Sequence, residues 1–302
     1  MDGAYAASQA SLLLDRAGSS SVDAHAARLL RNGLSVTCFA AFEGFFRERT
    51  SEIASWLTSQ AIPYSQYPPG IQTAALRRGT DVLQALMKRD PASNEVQQAV
   101  IELGESWSRR HGGSGWRLPH AALLWPGSNL GAGETIQILA SFGVAASWPD
   151  FVSVAEAGGF TNLPTKNLFD EIASRRHFSA HSSSYDADIL LLRATPDNLK
   201  AFAFSLDCLL SHAARAIARR IPVGKGRNAL ALTRLDESKG RGGWEEYAGP
   251  VSTKGNPVSI HKDLNEAINK FMASSSAPSD VLLVRKWNGI EHEVATWYTT
   301  GV

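Results

Sequence analysis

The sequence predicts a mainly α protein that ends in a small α+β unit, and three patterns carry the prediction. Apolar residues recur every three or four positions over most of residues 22–220, the period of helices with one buried face. Past Pro222 the period falls to two, the signature of half-buried strands. Between them Val223-Gly-Lys-Gly-Arg-Asn228 is basic and glycine-punctuated, the composition of a linker. Two domains follow: a helical one over 1–222, with a glycine-rich insertion near 111–134, and a small α+β one of unassigned role over 228–302.

Taken in order, Ala6–Ala17 reads as a short helix closed by Gly18-Ser-Ser-Ser21. Val22–Leu30 is helical by composition. Ser35–Leu57 carries Val36, Phe39, Phe42, Phe46, Ile53 and Trp56 on one broad face, and its aromatics read as core. Pro63, Pro68, Pro69 and Gly70 interrupt the pattern, which resumes over Ile71–Lys88 and stops at Asp90-Pro91. Asn94–Arg110 is amphipathic, with Ser93 or Asn94 as N-cap. The 111–134 stretch, rich in glycine and holding Pro119, Pro126, Trp116 and Trp125, reads as a loop that covers an RNA path or joins a partner. Its His111 and His120 have no companion ligands and are not expected to bind metal.

Thr135–Ala146, Trp148–Ala157 and Thr165–Ser179 read as helices, the last capped by Thr165. Pro196–Arg220 closes the helical part with a long apolar face. Strands are expected over Ala229–Leu235, Val251–Ile260, Val281–Trp287 and Ile290–Tyr298, with a helix over His261–Met272. Asn288-Gly289 signals a type I′ hairpin between the last two strands.

Composition bounds the function. Of 302 residues, 44% are hydrophobic and 20% charged, which is ordinary for a globular chain. With Lys+Arg 30 against Asp+Glu 29, the net charge of +1 gives no global attraction to nucleic acid, so any such binding is local. Basic clusters lie at Arg109-Arg110, Arg175-Arg176, Arg215–Arg220 and Lys225–Arg227. Cys38 and Cys208 sit in apolar helical settings without a C-x-x-C partner and read as buried thiols of a reducing compartment. No basic leader precedes an apolar run, and no stretch reads as a membrane span; a soluble, cytoplasmic protein with no membrane partner is expected.

One segment, Glu171–Asp188, gathers chemistry. Two histidines at an i, i+4 spacing lie about 40° apart on a helix, so His177 and His181 address one point in space. Arg176, about 100° from His177 on the same wheel, has the reach to join them. A guanidinium for phosphate oxygens and imidazoles titrating near neutrality are the parts that metal-free RNA cleavage needs.

The spacing Arg176-x4-His181 resembles the R-x4-6-H signature of the HEPN superfamily, nearest to its RiboL-PSP-like groups, and Val36–Thr50 with Glu43 resembles the first HEPN helix. The likeness spans roughly residues 20–222. It implies a HEPN-like helical bundle and a metal-independent endoribonuclease whose motifs meet across a homodimer interface at the motif helix. In that chemistry the RNA's own 2′-hydroxyl attacks the phosphate and leaves a 2′,3′-cyclic phosphate. Carried onto this chain, Arg176 holds the phosphate, His181 is general acid or base, His177 orients the phosphate and Glu43 positions Arg176 or His181. Arg175 and Ser182 are the implied substrate-binding neighbours, and no cofactor is implied.

Such domains serve as toxins or antiviral effectors, so RNA, a second copy and an antitoxin or defence-complex partner are the expected partners. A non-catalytic scaffold or RNA-binding module is the alternative. Family members silenced by adenylylation share a tyrosine two residues after the motif histidine, where this chain has Ser183, so a different partner is implied.

Other constellations are weaker. Gly224-Lys225-Gly226 is not a phosphate-binding P-loop, and no G-x-S-x-G elbow is present. His177, His181, Asp186 and Asp188 have the donor types for a divalent metal, but Arg176 beside them opposes a cation.

Overall fold

The computed structural model describes residues 22–109, 115–127, 129–144, 148–223, 231–240, 242–253, 255–273 and 281–299. The Ala6–Ala17 helix, His111, Arg110, and the Lys225–Arg227 cluster lie outside these residues. A single helix, α1 (Val22–Ser59), replaces the two segments expected there. The expected break, at Arg31-Asn32-Gly33, does not occur because Arg31 and Asn32 point inward to partners on a distant loop. Those contacts offset the poor helix propensity of Asn and Gly.

Short helices α2 (Pro69–Leu76) and α3 (Arg78–Arg89) follow, then α4 (Asn94–Ser108), whose Ser93 N-cap accepts the Val96 N–H at 3.3 Å. The glycine-rich insertion is core rather than a covering flap. Trp116, Leu118, Leu123, Trp125 and Leu130 are buried. Trp116 stands edge-on to Tyr64 and Tyr67 at 4.9 and 4.8 Å and donates its indole N–H to the Ser106 carbonyl. Glycines and prolines limit regular structure among the described residues of this segment before Ala132 to the 3-10 turn His120–Leu123, but the two tryptophans provide enough apolar area to bury the segment.

Next come α5 (Ala132–Ser141), α6 (Trp148–Gly158) and α7 (Lys166–His181). The Thr165 hydroxyl caps α7 as expected, accepting the Leu168 N–H at 3.2 Å. α8 (Ile189–Arg219) starts a full two turns before the expected Pro196, which lies inside it. The Asp188 carboxylate caps its first turn through the Leu190 and Leu191 N–H groups at 2.8 and 3.1 Å. Buried Arg175 donates to the Leu191 carbonyl and the Thr195 hydroxyl just before the proline, stabilising the turn that a proline weakens. By length and hydropathy α8 is able to cross a membrane, yet 89% of its apolar window is buried inside the fold.

The remaining elements are β1 (Leu232–Glu237), β2 (Trp244–Ala248), β3 (Ser259–His261), α9 (Leu264–Ala273), β4 (Val281–Trp287) and β5 (His292–Thr299). The sheet order is β3-β2-β1-β4-β5, with β1 and β4 parallel and the other pairs antiparallel. β2 falls where no strand is expected, and among the described residues of the expected Val251–Ile260 strand only Ser259 and Ile260 form one, continued by His261, where the helix is expected to open. The β4–β5 hairpin closes at Trp287↔His292, so Asn288 to Glu291 form its loop in place of a two-residue type I′ turn. The Asn288 side chain caps that loop, accepting the Ile290 and Glu291 N–H groups at 2.8 Å.

Sheet and helices share one core. Leu232, Val281, Leu283 and Val294 pack with the helical residues, while Leu235, Leu282 and Val284 pack with Ala267 of α9 on the opposite face. The site is positioned by an aromatic cluster in which Phe169 of α7 meets Phe39 and Phe42 of α1, Trp148 of α6 and Phe202 of α8 at 5.4–6.1 Å between ring centroids. Phe39, Phe42 and Phe46 are thus core, as their spacing predicts.

Candidate active site

α7 runs antiparallel to α1. Phe169, near its start, meets Phe39 and Phe42, while the loop after its end meets Arg31 and Asn32. The helix extends through His181, so both histidines lie on regular helical backbone. Their rings stack obliquely with centroids 4.9 Å apart, and both are exposed. The i, i+4 geometry therefore produces a contiguous pair of imidazoles.

Arg176 is half-buried beside them. Its Nε is shut off from solvent, and its guanidinium makes no hydrogen bond or ion pair among the described residues. The nearby Asp170 is bonded instead to Lys166 at 2.5 Å. A partly desolvated guanidinium without a counterion favours an anion.

A short strap, residues 182–188, fixes the end of α7. Arg31, whose side chain is 3% exposed, grips the Asp186 carboxylate through Nε at 2.8 Å and through a second nitrogen at 2.6 and 2.7 Å. Asn32 donates to the Tyr185 carbonyl at 2.8 Å and accepts the Ala187 N–H at 3.2 Å. Phe178 lies against Tyr185 at 5.7 Å. Asp186 is bonded to Arg31 and Asp188 caps α8, so each carboxylate has a partner other than the histidines.

Of the other predicted residues, Arg175 and Glu43 are bonded elsewhere, and Ser182 stays at the helix end beside His181. Arg175 is buried and faces α8, where its guanidinium bonds to Leu191 and Thr195. Glu43 is buried beyond the Phe42–Phe169 contact, where its carboxylate accepts the Leu130 N–H at 2.6 Å and is not positioned on the motif. Ser182 is the C-cap, its N–H on the Phe178 carbonyl and its hydroxyl 3.2 Å from that of Ser184. Sequence reading missed Arg31 and Asn32, whose partners lie over 150 residues away (separations of 155 and 153). No local pattern marks them.

Exposed apolar side chains surround the strap: Phe178 on α7, Leu190 and Leu191 on α8, and Leu30 and Leu34 on α1. Comparisons with protein families, with characterised proteins and with solved structures give no match to this chain.

Proposed function

We propose that the chain is a metal-independent, HEPN-type endoribonuclease that works as a homodimer. The observation that carries the reading is the exposed His177–His181 pair beside the unpaired Arg176 guanidinium. In the reaction one neutral imidazole takes the proton of an RNA 2′-hydroxyl as its oxygen attacks the adjacent phosphorus. The bond from phosphorus to the 5′-oxygen breaks, and an imidazolium gives its proton to that leaving oxygen. The products are a 2′,3′-cyclic phosphate and a 5′-hydroxyl, while Arg176 holds the non-bridging oxygens and stabilises their growing charge.

The second copy enters through the apolar rim. Phe178, Leu190, Leu191, Leu30 and Leu34 project from elements that meet at the strap, and a partner helix packed there brings two motifs together. Such an enzyme acts as a cytoplasmic toxin or antiviral effector, held in check by an antitoxin or a defence-complex partner. A second reading, a non-catalytic RNA-binding scaffold, is favoured by one feature: Glu43 is committed to Leu130, and among the described residues no carboxylate bonds to either imidazole.

The deciding experiment incubates purified wild type, His181→Ala and Arg176→Ala with total RNA in EDTA and maps the 3′ ends of the fragments. Cyclic-phosphate ends from wild type alone support the enzyme. Intact RNA bound by a stable dimer supports the scaffold.

A further inference from the structure

A cavity of about 630 Å³ lies well apart from the histidine pair, between α1, α3, α4 and the segment that carries the 3-10 turn His120–Leu123. That is the size of a cleft for a small organic ligand. Arg47 of α1, Lys88 of α3, Glu102 of α4, and His120 and Trp125 supply its polar groups, and Val82, Leu86 and Leu124 its apolar wall.

Two of those groups have no hydrogen-bond partner among the described residues. The Arg47 guanidinium lies 4.2 Å over the Trp125 ring and makes no hydrogen bond or ion pair among the described residues. Burial lowers its pKa, outweighing the attraction of the Glu43 and Glu95 carboxylates. The Trp125 indole N–H, in a residue only 3% exposed, has no acceptor among the described residues. The contrast with two other tryptophans is informative, because Trp116 donates to the Ser106 carbonyl and Trp297 to Asp207. Buried donors are nearly always paired, so one left open beside an unpaired cation, in a cleft, points to an acceptor supplied from outside.

The other polar groups are occupied. Glu102 accepts the His120 N–H at 3.0 Å and the Gln98 amide at 2.9 Å, and the His120 ring lies 3.2 Å from the Thr50 hydroxyl. At the rim Arg89 is paired with Glu95, whereas Lys88 is exposed. The cavity thus has a cationic end with spare donors and an apolar wall.

We propose that this cavity binds a small organic anion with an apolar, ring-bearing body, its carboxylate or phosphate taken by Arg47, Lys88 and the Trp125 indole N–H. Arg47, stacked on the face of Trp125, swings toward the anionic head. The body of the ligand then lies along Val82, Leu86 and Leu124. The site does not depend on the ribonuclease reading, since nothing in it touches α7.

The test is a fluorescence titration of the full chain with 8-anilino-1-naphthalenesulfonate, an aromatic anion, and with N-phenyl-1-naphthylamine, its analogue without the sulfonate. Wild type binds one sulfonate probe per chain. Arg47→Gln weakens it at least tenfold while changing the neutral probe less than twofold, and Lys88→Gln, on the surface and harmless to folding, weakens it severalfold. Leu86→Trp, which fills the cleft, weakens both probes. Displacement by adenosine monophosphate assigns a phosphate ligand, and displacement by indole-3-acetate a carboxylate one. Unchanged affinity for the sulfonate probe in both Lys88→Gln and a folded Arg47→Gln overturns the proposal, as does failure of both competitors to displace it.

Discussion

Arg49 and Asp207 form a buried ion pair, Nε to Oδ1 at 2.6 Å, that joins the first long helix to the last and both to the sheet. Asp207 also accepts the Ser211 hydroxyl and, through Oδ2, the Trp297 indole N–H of β5, each at 2.8 Å. Arg49 reaches Ser211 at 2.7 Å, Thr299 at 2.8 Å and Glu52 at 2.7 Å. One satisfied polar network thus orients the sheet on the bundle, where apolar packing alone leaves the angle loosely specified.

Breaking that pair from one side leaves a buried charge. Asp207→Ala is expected to cost about 3 kcal/mol, the low end for a disrupted buried pair because Glu52 still reaches Arg49 from the surface. Urea unfolding followed by tryptophan fluorescence measures it, and Trp297 loses its acceptor in the same variant. A loss below about 0.5 kcal/mol, the scale of a surface change, contradicts the role assigned to the pair.

His120 makes stability depend on pH. Burial lowers its pKa below the ordinary 6.5, and the opposing influence of Glu102 is smaller. The folded imidazole is neutral, and as pH falls through 6.5 the unfolded chain binds a proton that the folded chain resists. Its contribution is therefore complete above about 6.5 and is lost as pH falls toward the depressed value. Thermal melts from pH 7.5 to pH 5 are expected to show falling stability in wild type and a shallower fall in His120→Gln. Parallel profiles exclude His120 as the cause.

How much of this is legible in the sequence depends on how local the determinant is. The caps Ser93 and Thr165 and the facing of His177 and His181 are fixed within one turn of helix, and the sequence is enough to place them. β2 is not, because Trp244-Glu-Glu-Tyr-Ala248 is half-exposed along most of its length and shows no alternation; pairing with β1, as at Leu235↔Glu246, makes it a strand. The core role of 115–130 is hidden in the same way, since Trp116 is buried by Tyr64 and Tyr67, residues separated from it by the three helices α2, α3 and α4.

In the proposed reaction the adjacent arginines Arg175 and Arg176 divide structure from chemistry. Arg175→Ala removes the donor at Leu191 and Thr195 and leaves a hole beside Pro196, with an expected cost of about 2 kcal/mol for hydrogen bonds from a charged group. Arg176→Ala, with no bonded partner, is expected to change stability by less than about 0.5 kcal/mol while abolishing RNA cleavage. Chemical denaturation of both variants beside the cleavage assay separates the roles. Equal stability losses at the two positions refute the division.

The strap makes a final, independent demand. Asp186→Ala leaves the Arg31 guanidinium, nearly shut off from solvent, without its carboxylate, and frees the loop that follows His181. Because Asp186 itself is 41% exposed, water enters and limits the stability loss to about 1 kcal/mol. The larger effect is on order: backbone amides of residues 182–188 are expected to exchange with deuterium at least tenfold faster, with those of α8 beyond Pro196 unchanged. If His177 and His181 work from a fixed helix end, cleavage falls with the same variant although neither imidazole nor Arg176 is altered. Faster exchange with full activity shows that the strap is dispensable to the chemistry, and unchanged exchange shows that Asn32 alone holds it.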